Sequence, residues 1–135
     1  MTENSPRPRI LLADAHADYR DLVCHYLAHL KYPCPAQAKD GREAVSMALS
    51  QEPDLIIMEP CLPKLHGFEI LAQLRRDQRT SRAWIVAATA MAMPGDREIC
   101  LGKGFDAYLA KPFTLKEFED LLLAASAGAR AQPGL

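Results

Sequence analysis

No apolar run in this 135-residue chain approaches the roughly 18 residues that a membrane-spanning helix needs, so no such helix is expected. An excess of positive charge is also missing. Sixteen Lys and Arg stand against seventeen Asp and Glu, a formal net charge of −1, which leaves no basic footprint for direct nucleic-acid binding. The four cysteines, Cys24, Cys34, Cys61 and Cys100, form no CxxC pair, and none has a histidine at zinc spacing. They read as reduced thiols that mostly pack as small hydrophobes. The opening "MTENSPRPR" is polar and lacks the apolar h-region of a secretory signal, so the cytoplasm is the expected location.

What is present is enough for one packed domain: 49% of the residues are hydrophobic. Two patterns alternate along the chain. Short continuous apolar runs occur at 10–13, 55–58 and 84–88, as suits strands buried on both faces of a parallel sheet. Between them lie amphipathic stretches. In "DYRDLVCHYLAHL" the residues Leu22, Val23, Tyr26, Leu27 and Leu30 share one helical stripe. In "DGREAVSMALS" Ala44, Val45, Ala48 and Leu49 do the same, and Asp40 followed by Glu43 resembles a capping box. "PFTLKEFEDLLLAA" is the clearest helix, with Thr114 as N-cap, Glu117 at the third position and a Phe113–Phe118 hydrophobic staple. A strand over 33–38 and a helix over 96–102 complete five strand–helix units. Pro33 and Pro35 cannot donate to a ladder, which puts that strand at a sheet edge. The expectation is a doubly wound α/β domain over 9–126, with flexible ends at 1–8 and 127–135.

In such folds functional groups gather beyond the carboxyl ends of the strands. That rule selects Asp14 after the first strand, Glu59 after the third, Thr89 after the fourth and Lys111 after the fifth. Two carboxylates, a hydroxyl and a lysine meet at one end of the sheet.

The pieces "ILLADAHADYR", "DGREAV", "PDLIIMEPCLPKLHGFEIL", "IVAATAMAMPGDRE" and "GFDAYLAKPF", in that order, resemble the receiver domain of two-component response regulators, of the stand-alone chemotaxis-regulator type. The resemblance runs from about Arg9 to Ala125. It implies a flavodoxin-like five-stranded parallel sheet in the order 2-1-3-4-5. It also implies an aspartate after the third strand that accepts a phosphoryl group, two adjacent acids after the first strand that help bind Mg²⁺, and a backbone carbonyl as a further ligand. Thr89, Lys111, Pro112 and Tyr108 match the family's phosphate-contacting hydroxyl, lysine, following proline and switch aromatic. Asp14 matches the first acid and Cys61 the carbonyl donor. Two positions depart. Ala15 replaces the second acid, and Glu59 stands at the phosphoacceptor position. Lys64 and His66 follow in a loop where the family more often has small or acidic residues.

Both departures weaken the same chemistry. A misplacement of about 1 Å can cost roughly 10²-fold in rate, and Glu59 carries its carboxylate one methylene too far. Ala15 removes an oxygen from an ion that demands near-octahedral oxygen ligation, leaving Asp14, Glu59 and Cys61 as a degenerate set that holds Mg²⁺ weakly at best. No other cofactor is expected. The resemblance then implies a pseudo-receiver: not an enzyme, and signalling by protein–protein interaction without aspartate phosphorylation. Glu59 either mimics a phosphoaspartate or pairs with Lys111, and the third reading is a plain scaffold in which the acid has no role. The expected partner is a separate signalling protein on the face of the fourth helix, fifth strand and fifth helix, through 96–103 and 115–122, with a sensor histidine kinase as a second candidate. A conventional Mg²⁺-dependent receiver is the first alternative. A flavodoxin-like cofactor binder or small hydrolase is the second, disfavoured because "ADAHADYR" contains no glycine for a phosphate loop. His16 and His66 are expected as exposed loop residues, and Asp96, Arg97 and Glu98 as a solvated helix face. Cys61 sits beside the site, but a reactive thiol needs a lowered pKa and carboxylates oppose that.

Overall fold

Each apolar run supplies side chains to both faces of a sheet, because successive residues of a strand point to opposite sides. The computed structural model describes residues 8–90 and 92–128. These form β1 (Ile10–Ala13), α1 (Ala17–His29), β2 (Ala36–Ala38), α2 (Gly41–Gln51), β3 (Leu55–Met58), α3 (Gly67–Arg76), β4 (Trp84–Thr89), α4 (Asp96–Lys103), β5 (Ala107–Ala110) and α5 (Leu115–Ser126). The five strands are parallel in the order β2-β1-β3-β4-β5. Most of the expected flexible ends, 1–7 and 129–135, lie outside the described residues. No helix among those described is long and apolar enough to cross a membrane.

The alternation splits the core in two. Leu11, Ala13, Ile56, Met58, Ile85 and Ala87 pack against Ala44, Ala48, Ile70, Leu71 and Leu74 of α2 and α3. Leu12, Ile57, Trp84, Val86 and Ala88 face the other way, onto Val23, Leu27, Phe118, Leu121 and Leu122 of α1 and α5. Full burial of one such aliphatic or aromatic side chain contributes about 1.5–3 kcal/mol, so two cores of this kind hold the strand ends firmly in place.

The edge strand is shorter than its sequence pattern. β2 spans only Ala36–Ala38, because Pro33 and Pro35 offer no N–H to β1. The cap of α5 forms as expected: Thr114 accepts from Glu117 N, Glu117 accepts from Thr114 N, and the Phe113 and Phe118 rings stack at 5.8 Å. The box before α2 is offset by one residue. Asp40 accepts from Glu43 N, but the Glu43 carboxylate takes the N–H of Lys39 instead of that of Asp40.

Two glycines set the loops beside the strand ends. A Cβ on Gly67 would lie 2.6 Å from Pro60 Cα, and Gly67 N donates to Pro60 O at 2.7 Å. A Cβ on Gly41 would lie 2.2 Å from Leu65 O. The loop from Pro60 to His66 is thereby clamped between the starts of α2 and α3.

At the opposite end, buried Asp106 accepts from Arg75 and from Ile85 N, both at 2.8 Å. Arg75 also reaches the carbonyls of Ser81, Ala83 and Gly104, and ties the end of α3 to the starts of β4 and β5. Neither residue carries a signal in the sequence that marks it as part of this tie.

Candidate functional site

β1 and β3 end in register, and β4 and β5 run two residues further, so Asp14, Glu59, Thr89 and Lys111 emerge at one edge of the sheet and all four are buried. The Lys111 ammonium sits between the two acids, 2.5 Å from Asp14 Oδ2 and 3.3 Å from Glu59 Oε1. Its side chain is only 2% exposed. The ring of Tyr19, on the first turn of α1, covers the ammonium at 4.2 Å.

The remaining carboxylate oxygens are also engaged. Asp14 Oδ1 accepts from His16 N at 2.9 Å, and Glu59 Oε2 accepts from Cys61 N at 3.0 Å. The Arg20 guanidinium donates to the backbone carbonyl of Asp14 at 2.7 Å. Every oxygen of the two buried carboxylates therefore already has a protein donor, and the charges of two acids and one lysine leave the cluster at −1.

The residues fit a bound Mg²⁺ poorly. Such an ion takes six oxygens at about 2.0–2.1 Å. Here two carboxylates converge on an ammonium, and Ala15 supplies no side-chain oxygen. No group of three His, Cys, Asp or Glu side chains that could hold a metal gathers among the described residues.

The Glu59–Lys111 contact anticipated from the sheet topology is present, but the shorter bond of Lys111 goes to Asp14. Tyr19 and Arg20 went unmarked in the sequence. Their only signal is position, one turn into the helix that follows Asp14. His66 is exposed, as expected, yet it is the N-cap of α3, where its Nδ1 accepts from Phe68 N at 3.1 Å. His16 is 75% exposed. Lys64 adopts a positive φ of 73° and reaches Asp40 at 3.4 Å, away from the buried cluster. The Lys111–Pro112 peptide is cis.

Asp96 corrects one expectation. It is not only part of a solvated face: its Oδ2 accepts from the half-buried Tyr108 hydroxyl at 2.6 Å, joining β5 to the first turn of α4. Burial, and then this hydrogen bond, push the Tyr108 hydroxyl far above its usual pKa, with Glu59 among the lesser causes. The neutral phenol is thus the form the fold prefers. Its contribution to stability is complete below the ordinary tyrosine value near 10 and disappears as pH rises through the raised value. In an ultraviolet titration the phenolate signal of Tyr108 is expected to appear only as the fold is lost. A phenolate count in the folded chain at pH about 11 that already includes Tyr108 would contradict the bond.

The Cys61 thiol is also pushed up, by burial first and then by Glu59 and Asp96. That disfavours the thiolate and any oxidant-sensing role beside the site.

Comparison with known proteins identifies the family and agrees with the fold. Residues 10–123 match the response regulator receiver domain family. The chain is 37% identical over 110 residues to the DNA-binding dual master transcriptional regulator RpaA of Synechocystis, covering 82% of this chain and 45% of that protein. It is 35% identical over 82 residues to the polar-differentiation response regulator DivK of Brucella ovis, covering 61% of this chain and 67% of that one. The chain thus spans about half the length of the first of these relatives and two thirds of the second. Among solved structures, chemotaxis response regulator CheY4 of Vibrio cholerae superposes with a TM-score of 0.80 at 26% identity, covering 89% of this chain and 99% of that one. The receiver domain of sensor histidine kinase PA1611 from Pseudomonas aeruginosa superposes with a TM-score of 0.81 at 34% identity, covering 90% and 99%; that structure has a magnesium ion coordinated in its active site cleft. This chain belongs to the response regulator receiver domain family, a family of signalling domains in two-component systems.

Proposed function

We propose that this receiver domain works as a pseudo-receiver: it signals by binding another protein and does not run a Mg²⁺-dependent aspartate phosphorylation cycle. The observation that carries this reading is the position of Lys111 between Asp14 and Glu59, with all four carboxylate oxygens already accepting a donor. In-line phosphoryl transfer needs a free, well-placed carboxylate and a cation to meet the developing charge. Here the acid is a glutamate, its two oxygens are held by Lys111 and by Cys61 N, and the second metal acid is Ala15.

Of the two roles open to Glu59, pairing with Lys111 has the support of the geometry. A phosphate would bring about −1.5 to −2 charges and three acceptor oxygens, whereas Glu59 brings one charge and shares one lysine with Asp14. The site thus holds one fixed arrangement by internal neutralisation. The output is binding of a separate signalling protein on the face of α4, β5 and α5. There Ile99 is 53% exposed, and the Tyr108–Asp96 bond sets how α4 meets β5.

Isothermal titration with Mg²⁺ near neutral pH tests the metal half of this proposal. The expected result is binding no tighter than millimolar, an order of magnitude that follows from the small oxygen set. A saturable heat at micromolar Mg²⁺ would overturn it. Calorimetry suits the question better than tryptophan fluorescence. Trp84 lies at the start of β4, about 16 Å along the strand from Thr89 at about 3.3 Å per residue, too far to report on the site.

A further inference from the structure

The outward face of α1 carries two histidines that the buried cluster does not use. Val23 and Leu27 are buried against the sheet, with Tyr26 and Leu30 packed beside them. Each helical residue turns the side-chain direction by about 100°, so the opposite face of α1 belongs to solvent. Asp21, His25 and His29 stand there at four-residue intervals, and all three are exposed. The helix is regular through this stretch: it runs to His29, and Leu30 N still donates to Tyr26 O at 3.0 Å. Side chains four apart on a helix are neighbours, with Cβ atoms roughly 5–6 Å apart. The backbone itself therefore sets the two imidazoles one turn apart on one face. Ala28, also exposed, adds no bulk beside them. The one arginine of α1, Arg20, is drawn away to the Asp14 carbonyl.

We propose that His25 and His29 form a surface site for a divalent transition-metal ion of the kind that prefers imidazole nitrogen, such as Cu²⁺, Ni²⁺ or Zn²⁺. Each imidazole gives the lone pair of one ring nitrogen. Water completes the shell, since no three His, Cys, Asp or Glu side chains gather around a common point among the described residues. Asp21 lies about 12 Å along the axis from His29 at roughly 1.5 Å per residue, too far to share the ion. It stands one turn before His25, and helical side chains lean towards the N-terminus. Its carboxylate is thus placed to accept from the second ring N–H of His25 and to orient that ligand, which makes Asp21 a positioning residue. Mg²⁺ takes oxygen ligands and does not suit this pair. The site is therefore independent of the buried cluster and of the pseudo-receiver reading. A bound ion would staple the last two turns of α1, the helix whose first turn holds Tyr19 and Arg20 against that cluster.

Ni²⁺ alone is a direct probe, because it is paramagnetic and broadens the amide signals nearest to it. It is titrated near neutral pH into the isotope-labelled chain, prepared without a histidine tag. The expected result is saturable binding of one ion per chain, with broadening first and strongest over residues 25–29. His25→Ala and His29→Ala are each expected to abolish that saturable binding. Both positions are exposed, so both variants should keep the circular dichroism of the parent chain. Asp21→Asn is expected to weaken binding by about tenfold, the usual effect of losing a group that orients a ligand. Three results would overturn the proposal: no saturable binding, binding that survives either histidine substitution, or broadening centred on His16, His66 or an exposed cysteine.

Discussion

Lys111→Met is expected to cost the fold about 3–5 kcal/mol near neutral pH, the usual penalty for removing one partner of a buried ion pair. The charge arrangement gives the reason. Asp14 and Glu59 are 3% and 6% exposed, and the single buried ammonium between them is the counter-charge of both. Methionine fills a similar volume, so the loss reports on charge more than on packing. With an m-value of about 2 kcal/mol/M, the urea midpoint is expected to fall by roughly 2 M. Adding Asp14→Asn and Glu59→Gln to the same variant removes the stranded charges and is expected to restore much of that loss. If Lys111→Met unfolds within about 1 kcal/mol of the parent chain, Lys111 is not the group that neutralises the site.

The second large effect is a gain. The double variant Ala15→Asp, Glu59→Asp is expected to bind Mg²⁺ and to take a phosphoryl group from acetyl phosphate, seen as an added phosphate in the intact mass. Ala15→Asp returns an oxygen ligand beside Asp14. Glu59→Asp draws the carboxylate back by one methylene and so changes the contacts that Glu59 now makes with Lys111 and Cys61 N. Thr89 and Lys111 are already in place. Both substitutions act on one metal, so they couple instead of adding. Ala15→Asp alone is expected to regain some Mg²⁺ affinity with little phosphorylation, and Glu59→Asp alone to do little. A folded but inert double variant would place the defect elsewhere, with the loop of Lys64 and His66 first to be examined.

Much of this was legible in the sequence because it rests on periodicity. The runs at β1, β3 and β4 are continuous and apolar, and α5 carries its cap and staple in consecutive residues. The convergence of Asp14, Glu59, Thr89 and Lys111 on one edge follows from the rule that functional groups gather beyond the carboxyl ends of the strands, and the strand order from the resemblance of five ordered motifs. What stayed hidden depends on distance in the chain. Asp106 and Arg75 are 31 residues apart and meet only because α3 ends beside the starts of β4 and β5. Lys111 prefers Asp14, 97 residues away, to Glu59, and no motif states that preference. Asp96 looks like a helix-surface acid until β5 brings Tyr108 against it. The shortening of β2 was partly readable. The two prolines predicted an edge, but not that pairing begins only at Ala36.

The most direct test of the pseudo-receiver reading is the intact mass of the unmodified chain after exposure to acetyl phosphate and millimolar Mg²⁺, beside the double variant under the same conditions. The account predicts no added phosphate on the unmodified chain, because Glu59 is held by Lys111 and Cys61 N and no second acid completes a metal site. Phosphate on the unmodified chain, mapped to Glu59 and appearing as fast as on the double variant, would contradict it.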